Sequence, residues 1–427
     1  MSRARDLTSG EEQFWTFEQL HPEEPLVNVA VCYEIDQPVA PGALLRAAED
    51  VVARHEVLRT SYHAVGGRPA ARVHDHAEAE LLTAHADCRA SAMELVESLA
   101  LKPFDLTRAP QLRVALVSWR EDAHLLLLGA HHVTLDGPSL GVVSDELSDA
   151  IAAYTSGRAW EPQPLPVTYS QVAAAERAAA SDGSWDAAIA FWRETLAAGG
   201  ARYPLRTSSG AGGFATHSRT VRLDPDRSGH VRAFAQAQHM STNIVLMTCW
   251  AMLLQRVGGV RELVLGVPVS SRETHDKETL VGLVMNTVPV HVPALDGDPA
   301  EALRTVRRRF LFCLRHRHVP LLRLAREVRP GRSLETDPLY QVMFTHNHEA
   351  VLSWAGRPAP RAALTAGNSE TPLGLAMVEE AGGSIRLEFD VSSQDFDASF
   401  ADRLTTEYVD LLLGMAGSPT VDVRRAG

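Results

Sequence analysis

The chain has 427 residues, more than one ordinary hydrophobic core holds, so two lobes are expected. Its composition, 45% hydrophobic and 22% charged, is that of a soluble globular protein, and its formal net charge of −12 argues against a partner made of nucleic acid, whose phosphates need a basic surface. The four cysteines, Cys32, Cys88, Cys249 and Cys313, lie far apart with no CxxC pair, which argues against a zinc cage or a disulfide framework and fits a reducing cytoplasmic setting.

The polar start, Met1 to Asp6, leads into no long apolar run, so neither a signal peptide nor a membrane span is expected. Residues 7–15 read as a cap and a short helix, with Thr8 or Ser9 as the capping oxygen and Glu11 or Glu12 about one turn on. Val27, Val29, Val31, Tyr33 and Ile35 alternate as in a half-buried strand. Helical spacing of Leu44, Leu45, Ala48, Val51 and Val52 predicts a helix from Pro41 that runs into 54–60, and Gly66-Gly67 predicts a hairpin turn. A helix near 91–100 and strands near 111–119 and 123–130 follow.

The second of those strands, Leu125-Leu126-Leu127-Leu128, breaks at Gly129 and delivers His131-His132-Val133-Thr134-Leu135-Asp136-Gly137. Pro138 then opens a helix, where its missing N–H is not needed. Strand, histidine loop and helix start form a good layout for polar chemistry: the strand fixes the imidazole, and the helix start aims free N–H groups at developing negative charge.

Residues 156–169, rich in Pro, read as the connection between lobes. Helices are predicted at 172–181, 185–196, 226–237 and 242–256, with a mobile Gly/Ser-rich loop at 199–213. Strands are predicted at 262–268, 339–346, 372–379 and 384–391. Leu303, Val306, Phe310 and Leu314 make one face of a helix over 299–315, and a last helix spans 398–415.

Several motifs occur together. His131-His132-xxx-Asp136-Gly137 is accompanied by Arg54-His55-Glu56-x-Leu58-Arg59-Thr60, Phe191-Trp192-Arg193-x-x-Leu196, Gly266-x-Pro268-x-Ser270-x-Arg272, Gly282-xxx-Asn286-Thr287, His316-Arg317-His318-Val319-Pro320 and Arg332-xxxx-Asp337-Pro338-Leu339. In this order and spacing they resemble the condensation domains of nonribosomal peptide synthetases, members of the HHxxxDG acyltransferase superfamily, along nearly the whole chain. Two departures are Ser9 and Glu11, where the family usually has Pro and Gln. A third is Tyr169-x-Gln171-Val172-Ala173, which lacks the family's tryptophan.

The resemblance implies an α/β fold of two chloramphenicol-acetyltransferase-like lobes in a V, about 1–168 and 175–427, with an active-site tunnel between them. A floor loop and a crossing element within 366–392 would belong to the second lobe. It further implies a free-standing condensation enzyme of nonribosomal peptide or hybrid peptide-polyketide biosynthesis. Such an enzyme takes an acyl or aminoacyl group from a phosphopantetheine thioester on a carrier protein, met in trans, and passes it to an amine or alcohol. No bound cofactor and no metal are expected, because the thioester supplies the driving force.

His132 is the catalytic candidate, either as general base, or orienting the nucleophile, or steadying the tetrahedral intermediate. Gly137 either contributes its N–H to the oxyanion or serves only a tight turn. His131 is expected to point into the lobe as a structural, hydrogen-bonding residue; by resemblance Asp136 is paired with Arg272 rather than with a histidine, and Asn286 and Thr287 line the tunnel. Arg304, Arg307, Arg308 and Arg315 form a solvated helix face or a dock for an acidic carrier protein. The alternatives are a coenzyme-A-dependent acyltransferase of the same superfamily and a catalytically silent carrier-protein recruitment module.

Overall fold

The computed structural model describes residues 2–22, 27–197, 203–204, 214–330, 339–364, 368–380 and 382–417. The predicted loop at 199–213 lies outside these but for Tyr203 and Pro204, as does the Arg332-xxxx-Asp337-Pro338 part of the last motif.

In chain order the first elements are β1 (Ser2–Arg5), α1 (Ser9–Leu20), β2 (Asn28–Ile35), α2 (Pro41–Arg54), β3 (Thr60–Val65), β4 (Arg68–His74), β5 (Leu81–His85), α3 (Arg89–Leu101), β6 (Leu112–Arg120), β7 (Ala123–His131), α4 (Gly137–Thr155) and α5 (Tyr169–Ala179). Then come α6 (Asp186–Ala197), β8 (Thr216–Leu223), α7 (Pro225–Ala237), α8 (Thr242–Gly258), β9 (Leu263–Ser270), β10 (Met285–Val292), α9 (Pro299–Arg315), α10 (Leu321–Val328) and β11 (Val342–His348). The last are β12 (Ser353–Trp354), β13 (Arg357–Pro358), β14 (Arg361–Ala362), β15 (Leu373–Glu379), β16 (Ile385–Ser392) and α11 (Ala398–Met415).

Two compact units result, and their boundaries differ from the lobes expected. The first is Met1–Ser184 with Arg272–Met285 and Ala350–Thr365; the second is Trp185–Ser271, Asn286–Glu349 and Ala366–Gly427. The segment that returns to the first unit is thus 350–365, where β14 pairs with β2 through Arg361↔Tyr33 and Ala362↔Cys32. The stretch expected to cross, 366–392, supplies β15 and β16 to the second unit's own sheet. The helix predicted to run through 54–60 stops at Arg54, where His55 takes an extended conformation.

In the first unit a five-stranded sheet has the order β14-β2-β7-β6-β5. Every residue of β7 is buried. The four-leucine run explains this: alternate side chains enter two cores, one on each face. Leu126, Leu128 and Ala130 pack with Leu44 and Val51 of α2 and Leu140 and Leu147 of α4. Leu125 and Leu127 pack with Ala92 and Val96 of α3. A strand covered on both faces needs an unbroken apolar run. A separate sheet, β1-β4-β3, carries the predicted hairpin, with Gly66 and Gly67 both at positive φ as a primed turn requires.

The second motif braces this layout. Arg54 donates to Glu146 Oε1 at 2.9 Å and His55 Nε2 meets Glu146 Oε2 at 2.7 Å, so the end of α2 is fixed to α4. The glutamate that departs from the family pattern, Glu11, is fully buried. Its carboxylate takes Arg5 Nη1 and Nη2 at 2.8 and 2.5 Å and the Tyr62 hydroxyl at 2.7 Å, while its own Thr8 cap closes the start of α1.

The second unit has a six-stranded sheet, β10-β9-β11-β15-β16-β8. Burial alternates along all of β16, the mark of a strand with one face on the core. Trp250 of α8, Phe389 of β16 and Tyr408 of α11 meet edge to face, with centroids 5.4–6.1 Å apart. Among the described residues no helix is long and apolar enough to cross a membrane.

Candidate active site

β7 ends at His131, and its pairing with Asn28 of β2 fixes where the histidine loop begins. His131 is 1% exposed. Its Nδ1 accepts from the Val133 N–H at 3.0 Å, so the ring proton sits on Nε2, which faces Glu18 Oε2 at 3.3 Å. Both nitrogens are therefore committed to the protein.

His132 differs. Its backbone N–H is held by the Val27 carbonyl at 2.6 Å. The ring is half-buried and stacks on Phe14, centroids 4.6 Å apart and planes 17° from parallel. Its Nδ1 is buried without a hydrogen-bond partner of ordinary geometry. Phe14 and Glu18 lie four residues apart on α1, on one helix face, so a single turn grips both histidines. Burial lowers the His132 pKa below its ordinary 6.5, against the partial counter-pull of the Asp136 charge. A neutral imidazole is the form that accepts a proton. We predict that a proton-NMR titration finds His132 titrating below 6.5. Phe14→Ala, by admitting water to the ring face, should move that midpoint up; an unchanged midpoint counts against the packing explanation.

Asp136 is fully buried and caps α4. Its Oδ1 takes the Ser139 N–H at 2.9 Å, the Ser139 hydroxyl at 2.6 Å and Arg272 Nη2 at 2.9 Å. Oδ2 takes Arg272 Nη1 and the Val284 N–H, both at 2.9 Å. No bond runs to either histidine, so the carboxylate organises the loop rather than orienting the imidazole. Arg272 Nη2 also reaches Ser139 Oγ and the Leu280 carbonyl, at 2.8 and 2.9 Å. Arg272–Met285 is thereby bound to the start of α4.

Ser139, Phe14 and Glu18 were not singled out in the sequence. Ser139 carried a usable signal, three residues past a capping aspartate. The other two contacts join helix to loop across more than a hundred residues, and no local pattern announces them.

Because Asp136 holds the Ser139 amide and Pro138 has none, the N–H of Gly137 is the first-turn amide of α4 left without a partner among the described residues. Gly137 is exposed, and a Cβ there would meet nothing within 4 Å. Gly282 is the opposite case: a Cβ would lie 2.1 Å from Cδ2 of the buried Tyr169, whose hydroxyl meets Thr8 Oγ1 and donates to the Leu283 carbonyl, both at 3.1 Å. Gly282→Ala is expected to cost about 1–3 kcal/mol by overpacking, read as a lowered Tm.

In the second unit Asn286 spends its side-chain amide on the backbone. It donates to the Arg317 and Val319 carbonyls at 2.7 Å each and accepts from the Leu321 N–H at 3.0 Å, fixing the His316–Pro320 motif. Thr287 hydrogen-bonds Tyr340, whose ring sits so close to Gly266 that a Cβ there would lie 2.4 Å away. Trp192 donates to the His316 carbonyl at 3.1 Å, and Phe191 stacks on the His316 ring. These motif residues hold one another, and their polar atoms are largely consumed in doing so.

A histidine loop at the end of a doubly covered strand, with its aspartate turned onto an arginine, defines an HHxxxDG protein of chloramphenicol-acetyltransferase-like fold. A family model described as the condensation domain matches residues 5–426, and the chain belongs to that family. It is 30% identical over 348 residues to phosphinothricin tripeptide synthetase PhsC of Streptomyces viridochromogenes, covering 79% of this chain and 32% of that one. The chain spans about a third or less of the length of the first curated relatives it matches. Among solved structures, the first condensation domain of the CDA synthetase aligns with a TM-score of 0.84 and 22% identity, covering 99% of this chain and 98% of that one. The X-domain solved in complex with OxyB from teicoplanin biosynthesis aligns at 0.82 and 23%, covering 98% and 94%. Condensation domains are acyltransferases that form amide bonds.

Proposed function

We propose that this chain condenses an acyl or aminoacyl group, carried as a phosphopantetheine thioester on a carrier protein, with an amine or alcohol. The observation that carries the reading is the contrast within one loop: His131, Asp136 and Arg272 are bonded to the protein, while His132 keeps a half-buried imidazole held neutral by its surroundings.

The nucleophile's nitrogen or oxygen attacks the thioester carbonyl and a tetrahedral oxyanion forms. His132 takes the nucleophile's proton, the C–S bond breaks, and the proton passes to the departing thiolate, so the products are an amide or ester and a free thiol. The N–H of Gly137, at the positive end of α4, offers a donor for the oxyanion. Asp136 and Arg272 keep that helix start and the histidine loop in register. Asn286 and Thr287 shape the substrate passage from their strand rather than by bonding the substrate.

A recruitment reading has one observation in its favour, since the X-domain shares this fold and is found in complex with OxyB. The two are separated by intact-protein mass spectrometry of turnover, with an acyl-loaded carrier protein or acyl-coenzyme A as donor and amines or alcohols as acceptors. Transfer from the carrier and not from coenzyme A is the expected result. Transfer from coenzyme A alone identifies the other acyltransferase class. Tight carrier binding without transfer identifies a recruitment module.

A further inference from the structure

The chain carries a net charge of −12, yet α9 bears five arginines and one glutamate. Its inner face, Ala302, Leu303, Val306 and Cys313, is buried. Its outer face is exposed and carries Arg304, Arg307, Arg308, Leu311, Phe312 and Arg315. Arg304 is answered by Glu301 at 2.8 Å. Arg307, Arg308 and Arg315 have no acidic partner among the described residues. Leu311 and Phe312, in their midst, are 41% and 44% exposed, and the Arg315 guanidinium lies 5.8 Å from the Phe312 ring centroid.

None of this helps the chain fold. Arginines spaced three and four apart repel one another by a few tenths of a kcal/mol, and exposed Leu and Phe side chains lose their burial energy. An apolar centre rimmed by arginine is how a protein–protein interface is composed. Two apolar side chains are too few to seat a helix in a bilayer, and a strongly negative chain is repelled by an anionic leaflet.

We infer that this face of α9 docks the carrier protein, and that the carrier presents a helix of acidic residues around one apolar side chain. The inference deepens the acyl-transfer reading and rests on it for the partner's identity. Arg307, Arg308 and Arg315 steer the acidic helix in, and Leu311 and Phe312 cover its apolar residue.

The test measures affinity for a panel of phosphopantetheinylated carrier domains by fluorescence anisotropy, at low and high salt. The proteins are wild type, Arg307→Glu/Arg308→Glu and Leu311→Ala/Phe312→Ala. Expected are a Kd raised about tenfold or more in both variants, a flatter salt dependence in the charge variant, and unchanged turnover of a carrier-free acyl-N-acetylcysteamine thioester. The inference is overturned by unchanged affinity in both variants or by a wild type that binds no carrier domain. It is also overturned by phosphatidylserine vesicles that wild type retains and the charge variant releases. If wild type binds carriers through this face but transfers from none, docking stands and the acyl-transfer reading fails.

Discussion

His132→Ala is expected to lower kcat/KM for acyl transfer by about 10²–10⁴, the usual worth of a positioned general base. The loss should depend on the acceptor. An amine that is already neutral attacks a thioester with little help, whereas a hydroxyl must shed its proton as it attacks, so alcohol acceptors should fall toward the larger figure. Stability should barely follow. The ring's Nδ1 has no hydrogen bond of ordinary geometry and the ring stacks on Phe14, so truncation should cost about 0.5–1.5 kcal/mol. Kinetics by intact-protein mass spectrometry and a thermal melt on the same sample check both parts. Full transfer by a folded variant would falsify the base assignment and leave orientation by Gly137 and the loop as the source of rate. The acid limb of the pH profile supplies a second check. Because burial lowers the His132 pKa, the active neutral form persists below pH 6.5 and is lost only as the pH falls through the lowered value.

Periodicity made most of the secondary structure legible. The four leucines of β7, the alternation in β2, β15 and β16 and the apolar face of α9 each carry their own signal, because burial on one or two faces dictates composition along an element. What escaped was long-range or short. β1 has four residues and β14 two, too few for any period, yet β14 helps tie 350–365 to the first unit, together with the buried Leu352 and the Ser353–Ser148 bond. The segment from Arg272 to Met285 has no long regular element; its Arg272, Gly282 and Val284 bond Asp136 and Ser139, and its Leu280 carbonyl accepts from Arg272. The resemblance puts a crossing element within 366–392, where β15 and β16 pair with each other and with β11 and β8. At the site, the motif located His131, His132, Asp136 and Gly137, but it is silent on α1. Phe14 and Glu18 reach the loop only once the helix is folded against it.

The largest stability effect is expected at Arg272. Its guanidinium is 7% exposed and Asp136 not at all, and the pair is bidentate, with both distances 2.9 Å. Removing one partner of such a pair leaves a charge in a site that water does not reach, at a cost of about 3–5 kcal/mol. Arg272→Ala should therefore lower Tm by about 6–20 °C, and transfer should fail through loss of the loop rather than of the chemistry. Asp136→Asn should be comparably harmful. The amide oxygen keeps the Ser139 bonds, but the amide N–H₂ then faces both Arg272 Nη1 and the Val284 N–H, donor against donor. Arg272→Lys preserves the charge and loses the fork, so its cost should fall between wild type and Arg272→Ala. The decisive comparison is Asp136→Leu with Arg272→Met in one chain. If the cost of each single change is mainly a stranded charge, the double variant recovers part of the stability while its loop, deprived of the N-cap and of the Leu280 contact, remains inactive. If the double variant is as unstable as the sum of the singles, the pair contributes through its own bonds, and the 272–285 segment depends on them to stay against α4.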